Sequence, residues 1–238
     1  MKYTNEQAVQ LGSRFALPPN SLGYCGHDSA PEKFKECVIK GNCSSIKDEF
    51  TKFIVLYPYL KTISKITNLP INSYEVIESY WLGNDLLKKA NLKHYDLLLE
   101  NFKKQGVPDF LIQDLMKNKP KKFIPHHLFQ VLHVGVGKAS GSVPFNLDSI
   151  NNCMIRWGSV LKINKNSLEV NLNSLDIKNN KYFLVSKLES QEFINGFLPN
   201  LKIGDTVAVH WKQVIKILKK EEIKNLEYWT NEILNYIS

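Results

Sequence analysis

Six histidines and four cysteines are the residues of this chain best suited to hold a borderline or soft metal ion. The first grouping is Gly23-Tyr24-Cys25-Gly26-His27-Asp28. Its two glycines permit close backbone approach, and Cys25 and His27 can reach one ion if the loop curls. A tight turn with an incidental thiol is the competing reading. Three more histidines follow at His126, His127 and His133. The stretch 128–136 is apolar and β-branched, which is compatible with a strand. On a strand, His127 and His133 share a face because an even number of residues separates them. Cys25, His27, His127 and His133 are then a candidate Cys/His metal site, although their spacing matches no recognised motif.

Other groupings carry less chemistry. Cys37 and Cys43 form neither a CxxC redox pair nor a zinc knuckle, and read as structural or incidental thiols. Glu75 and Glu78 share a helix side, but the Glu-x-x-His partner of a di-iron bundle is missing, which leaves a solvated helix face. The run Val134-Gly135-Val136-Gly137-Lys138-Ala139-Ser140-Gly141-Ser142 departs from the Walker pattern in its glycine spacing and in Ala139 after Lys138. It reads as a flexible connector. Neither a Gly-x-Ser-x-Gly elbow nor an HExxH helix nor a dinucleotide fingerprint occurs.

The chain has 238 residues and a formal charge of +8. That length suits one large domain or two small ones, at roughly 100–200 residues each. Only two of its 31 basic residues are Arg, at 14 and 156. Nucleic-acid readers favour the bidentate guanidinium, so the basicity reads as drift toward Lys, Asn and Ile codons. Nucleic acid is an unfavoured partner, although Trp157, Tyr182, Phe183 and Trp211 could stack bases on a small barrel. No run approaches the about 18 apolar residues of a membrane span, and the first residues lack a signal-peptide core. With few cysteines, a cytoplasmic location with reduced thiols is expected.

The elements that position these residues change character along the chain. The first ~120 residues show helical spacing. Ile46, Phe50, Phe53, Ile54 and Tyr57 line one face, and Pro58 should kink or divide that helix. Helices are also predicted from Asn72 or Ser73 to a stop at Gly83, from Leu92 to Phe102 and from Pro108 to Met116. After Cys153 the pattern shortens. Strands are predicted at 155–163, 167–172, 182–188 and 206–218, with turns at Asn164-Lys165-Asn166, Asn179-Asn180 and Gly204-Asp205. Residues 220–237 return to helical spacing. The expected fold class is α+β: a helical domain over 1–145 with a Gly-rich connector, then an OB-like β-barrel with a C-terminal helix over 146–238.

In the second half, Cys153-Met154-Ile155-Arg156-Trp157-Gly158-Ser159-Val160 resembles the opening of the HypC/HupF hydrogenase-maturation chaperones. Gly204-Asp205-Thr206-Val207-Ala208-Val209-His210 resembles their Gly-Asp-x-Val-x-Val-His strand, and the final helix is similar to theirs. The resemblance covers residues 152–237. It implies a small barrel whose thiol carries an iron–cyanide–carbonyl unit, and it maps the family's two functional positions onto Cys153 and His210. Here Cys153 is internal, whereas the family's cysteine becomes the N-terminal residue, and Trp157 stands where the family has Pro. The first half, with Leu17-Pro18-Pro19-Asn20 and Pro125-His126-His127, resembles uncharacterised bacterial and archaeal proteins.

Two functions follow as expectations. The first is an accessory or chaperone protein of metal-cofactor assembly, carrying iron or binding a client at Cys153. A hydrogenase large subunit or other maturation proteins would be its partners. The second is a metal- or thiol-dependent enzyme, which requires a concave pocket between the two halves where Cys25 and Cys153 converge.

Overall fold

The computed structural model of the chain describes residues 3–26, 30–194 and 196–237. It is a mixed α+β structure with ten helices and five strands among the described residues. Helix α1 (Asn5–Ser21) starts at a capping box, in which Thr4 and Gln7 satisfy each other's backbone N–H groups. It carries Pro18 and Pro19 in its last turns. Helices α2 (Ala30–Lys40), α3 (Ile46–Thr51), α4 (Leu56–Thr67) and α5 (Tyr74–Trp81) follow. The expected break near Pro58 falls at 52–55, and Pro58 sits in the first turn of α4, where its missing N–H costs nothing. Of the two candidate caps, Ser73 is the one that starts α5, its side-chain oxygen accepting the Val76 N–H.

Helices α6 (Leu92–Gln105) and α7 (Asp109–Lys117) match their predicted spans closely. The stretch beyond them does not. Residues 128–136, compatible with a strand, form a helix instead: α8 (His127–Phe129) runs directly into a π-helical turn over Gln130–Gly135. Apolar β-branched runs are ambiguous between a strand and a fully buried helix, and burial on all sides decides for the helix here. The expected reduced thiols at Cys37 and Cys43 are also corrected. The turn at Gly41-Asn42 folds the chain back after α2, and the two cysteines are joined as a disulfide.

Helix α9 (Leu147–Cys153) leads into the strands β1 (Arg156–Ile163), β2 (Ser167–Lys178), β3 (Lys181–Phe193), β4 (Thr206–His210) and β5 (Gln213–Ile217). Their hydrogen-bonded order is β1-β2-β3-β5-β4, and β4 pairs back onto β1, which closes the sheet on itself. All pairs are antiparallel except β3 with β5. The predicted strand 206–218 is two strands, because Trp211 and Lys212 both take positive φ and reverse the chain. Helix α10 (Lys220–Ile237) coincides with its predicted span.

Strand alternation separates two apolar clusters. Val160, Leu168, Val170, Leu172, Val207, Val209 and Val214 fill the inside of the sheet. Residues on the opposite face, such as Leu175, Ala208 and Ile215, join one large cluster shared with the helices. Arg14 of α1 ties the two layers, donating from Nη1 to the carbonyls of Phe197 and Ile215 at 2.7 and 3.1 Å. Among the described residues, no helix is long and apolar enough to cross a membrane.

Candidate metal centre

On β4, Val207 and Val209 point into the sheet, so Ala208 and His210 point toward the helices. That parity delivers the imidazole of His210 to the underside of α1. Its Nδ1 lies 2.7 Å from the carbonyl oxygen of Phe15. In an unbroken helix that carbonyl would accept the N–H of residue 19. Residue 19 is proline and has no N–H, so Phe15 is free to accept from His210. With Nδ1 protonated, Nε2 presents a lone pair, and it is buried without a hydrogen-bond partner.

Cys153 is the last residue of α9. Its position is set by its two neighbours. The Asn151 side chain pairs with both backbone groups of Leu175 at 2.9 and 2.7 Å, and the Asn152 carbonyl accepts the Trp211 N–H at 2.7 Å. These bonds pin the helix end between β2 and the β4–β5 turn. The third member, His127, opens α8, one residue after the capping His126. Its Nδ1 lies 3.0 Å from the Tyr80 hydroxyl, which also contacts Gln130 Oε1 at 3.0 Å. Its Nε2 lies 2.7 Å from the Cys153 carbonyl oxygen and 3.9 Å from the Cys153 thiol.

One ligand atom from each of His127, Cys153 and His210 lies within 4.8 Å of the others, and all three residues are buried. Burial pushes His127 down to about 4 and His210 well below the ordinary imidazole value, so both rings are neutral at pH 7. Burial pushes the Cys153 thiol well up, while Trp211 is placed to favour its ionised form. Two neutral imidazoles and a thiol deprotonated by an incoming ion are the donor set of a zinc-class site. The second layer fits as well. Each imidazole has its Nδ1 held, one by a backbone carbonyl and one by a phenol, which orients Nε2.

The cluster lies on a pocket of about 190 Å³ between the helices and the sheet. Cys25, Tyr24, Trp211 and the Gly135–Gly137 backbone also line it. Trp211, held at positive φ in the β4–β5 turn, packs against Tyr24 with ring centroids 4.5 Å apart.

The sequence-predicted residues therefore divide. Cys153 and His210 come together, and Cys25 lines the same pocket. His127 joins them rather than the predicted partner His133. On the π-helical turn His133 diverges and bonds the Tyr95 hydroxyl at 2.8 Å, outside the cluster. Among the described residues, the Cys/His group within mutual reach is His127, Cys153 and His210, and His133 is not part of it. His27 lies outside the described residues. No motif in the sequence marks Tyr80, Gln130 or the Phe15 carbonyl. Pro19 was the available signal for the last, since a helical proline frees the carbonyl four residues back.

A family model described as a family of unknown function (DUF6390) matches residues 4–238. The chain belongs to that family. The match takes residues 152–237 as part of one uncharacterised family that spans both halves, not as a HypC/HupF chaperone, so that resemblance is corrected. The pieces that carried it have local explanations. Gly204-Asp205 is a turn in which the Asp205 carboxylate accepts the Lys202 N–H at 2.9 Å, and His210 answers to α1. No curated protein and no solved structure matches the chain.

Proposed function

We propose that this DUF6390 protein is a metal-dependent protein that binds one zinc-class ion through His127, Cys153 and His210. The fourth coordination position would face the pocket. The observation that carries this reading is the convergence of three neutral donor groups within 4.8 Å, each brought by a different element. Three protein ligands with one open position is the pattern of a catalytic rather than a structural zinc. Such an ion acts as a Lewis acid, polarising a small ligand or lowering the pKa of bound water. This reading is the metal-dependent enzyme with a Cys/His site between the two halves.

The accessory role, in which Cys153 passes an iron-containing unit to a client, draws support only from the closeness of Cys153 to His210. Cys153 is 4% exposed and lies beneath the helices. A thiol so covered suits a resident ion better than cargo handed to another protein.

The test is metal analysis of the purified full chain after incubation with zinc or cobalt(II) and removal of excess ion. The expected result is about one ion per chain, with a thiolate-to-cobalt absorption band. Both are lost in Cys153→Ser and in His210→Ala. A wild-type chain that retains no zinc, cobalt or iron after anaerobic loading would overturn the proposal.

A further inference from the structure

A divalent ion bound by two neutral imidazoles and one thiolate keeps a net charge of +1. Among the described residues lining the pocket there is no carboxylate to balance it. The cation Lys52 is also there, held by Glu49, whose carboxylate is shared with Lys33. Burying an uncompensated charge in a largely apolar pocket is unfavourable, so a second anion belongs beside the ion.

The pocket wall holds one other thiol. The described free cysteines are Cys25 and Cys153, and both line this pocket. The Cys25 loop is fixed at its backbone on three sides. The Tyr24 N–H bonds the Pro19 carbonyl at 2.9 Å, Ser142 donates to the Tyr24 carbonyl at 3.1 Å, and Asn20 Nδ2 donates to the Cys25 carbonyl at 2.7 Å. Gly26 takes φ +84, and a Cβ there would collide with Asn20 and Phe53. The loop is therefore anchored over the pocket while Cys25 itself remains exposed to solvent. Across the pocket, the lone pair of His210 Nε2 is buried and unpartnered. Cys25 is not among the atoms within 4.8 Å of one another, so its side chain must move to reach the ion.

We infer that Cys25 is the displaceable fourth ligand of the ion, closing the site as a neutral Cys2His2 centre and yielding its place to an incoming anionic ligand. The inference rests on the metal site proposed above. Binding then converts two thiols to thiolates and releases two protons per divalent ion. In a three-ligand site only the Cys153 proton is released on binding the same ion.

The experiment is X-ray absorption on the zinc-loaded full chain, prepared with the Cys37–Cys43 disulfide intact so that Cys25 and Cys153 are the free thiols. Wild type should show two sulfur and two nitrogen neighbours. Cys25→Ser should show one sulfur, with proton release on zinc titration halved. Cys25→His, which can still ligate, should keep four protein ligands with one sulfur and three nitrogens. One sulfur in wild type, unchanged by Cys25→Ser, overturns the role of Cys25 and leaves the three-ligand site standing. No zinc retained by wild type removes both. Circular dichroism of each variant shows that the fold is kept.

Discussion

The Nε2 atom of His127 lies 2.7 Å from the carbonyl oxygen of Cys153 and 3.9 Å from its thiol. A carbonyl oxygen only accepts, so the short contact needs a proton on Nε2 or a cation close to both atoms. Tyr80 and Gln130 serve either case. With a proton on Nε2, Nδ1 accepts from the Tyr80 hydroxyl. With a metal on Nε2, Nδ1–H donates to the Tyr80 oxygen, and Tyr80 donates onward to Gln130 Oε1, 3.0 Å away. The phenol thus fixes the ring in both tautomers.

Tyr80→Phe removes that support while keeping the ring that packs against Tyr59 and Trp81. Zinc affinity should fall by about 10- to 100-fold, as for other partners behind metal-bound histidines. Competition against a chromophoric chelator reads the change directly. An unaltered affinity would show that His127 is oriented by packing alone.

The buried imidazoles set an acid limit on stability. Burial depresses His126 to about 3 and His127 to about 4, and holds His210 well below its ordinary value. Below the unfolded value near 6.5 the unfolded chain takes up protons that the folded chain refuses. Their contribution is therefore fully present above about pH 6.5 and is lost as pH falls toward the folded values. His127 alone accounts for a loss on the order of 3 kcal/mol between about pH 6.5 and 4. Urea unfolding of the metal-free protein at several pH values in that window should show the decline. A flat profile would mean that these rings are hydrated in the folded state.

The sequence was most legible where local chemistry decides structure. The cap at Ser73, the stop at Gly83, the turn at Asn179-Asn180 and the span of α10 follow from residues next to them. Reading failed where tertiary burial overrides local preference, as in 128–136, whose β-branched residues are enclosed on all sides of a helix. At the site, Cys153 and His210 were singled out by a resemblance that the family match overturns, yet the fold brings them together. His127 was paired with His133 by strand parity, which a helix does not obey. The Phe15 carbonyl could be foreseen as free, but not that β4 would present His210 to it, because that depends on the register of β4 against β1.

Gly158 bears on how that register is kept. It lies in β1 opposite Leu172 of β2 and Val207 of β4. A Cβ there would stand 2.0 Å from the Asn171 carbonyl oxygen, which is backbone and cannot swing aside. Gly158→Ala should therefore destabilise the protein by about 2 kcal/mol or more, through forced movement of β1 from β2. Ser159→Ala, at the exposed neighbour, should change stability by no more than about 0.5 kcal/mol. Denaturant midpoints of the two variants give the comparison, and equal midpoints would refute it.

Pro19→Ala separates the stability of α1 from its service to the metal site. Alanine restores an N–H that points at the Phe15 carbonyl, and it removes a helix-interior proline, a residue less favourable than alanine by about 3 kcal/mol in an isolated helix. Stability should hold or rise. The same N–H competes with His210 Nδ1 for the one carbonyl that orients it, 2.7 Å away. Zinc affinity should then fall by about tenfold, the lower range for a lost outer partner. Chelator competition and urea unfolding on one preparation give both numbers. A variant that loses stability and affinity together would point to collapse of α1. A variant with unchanged affinity would show that the carbonyl does not hold the ring. Opposite changes in the two quantities are the signature of a proline kept for what it leaves unbonded.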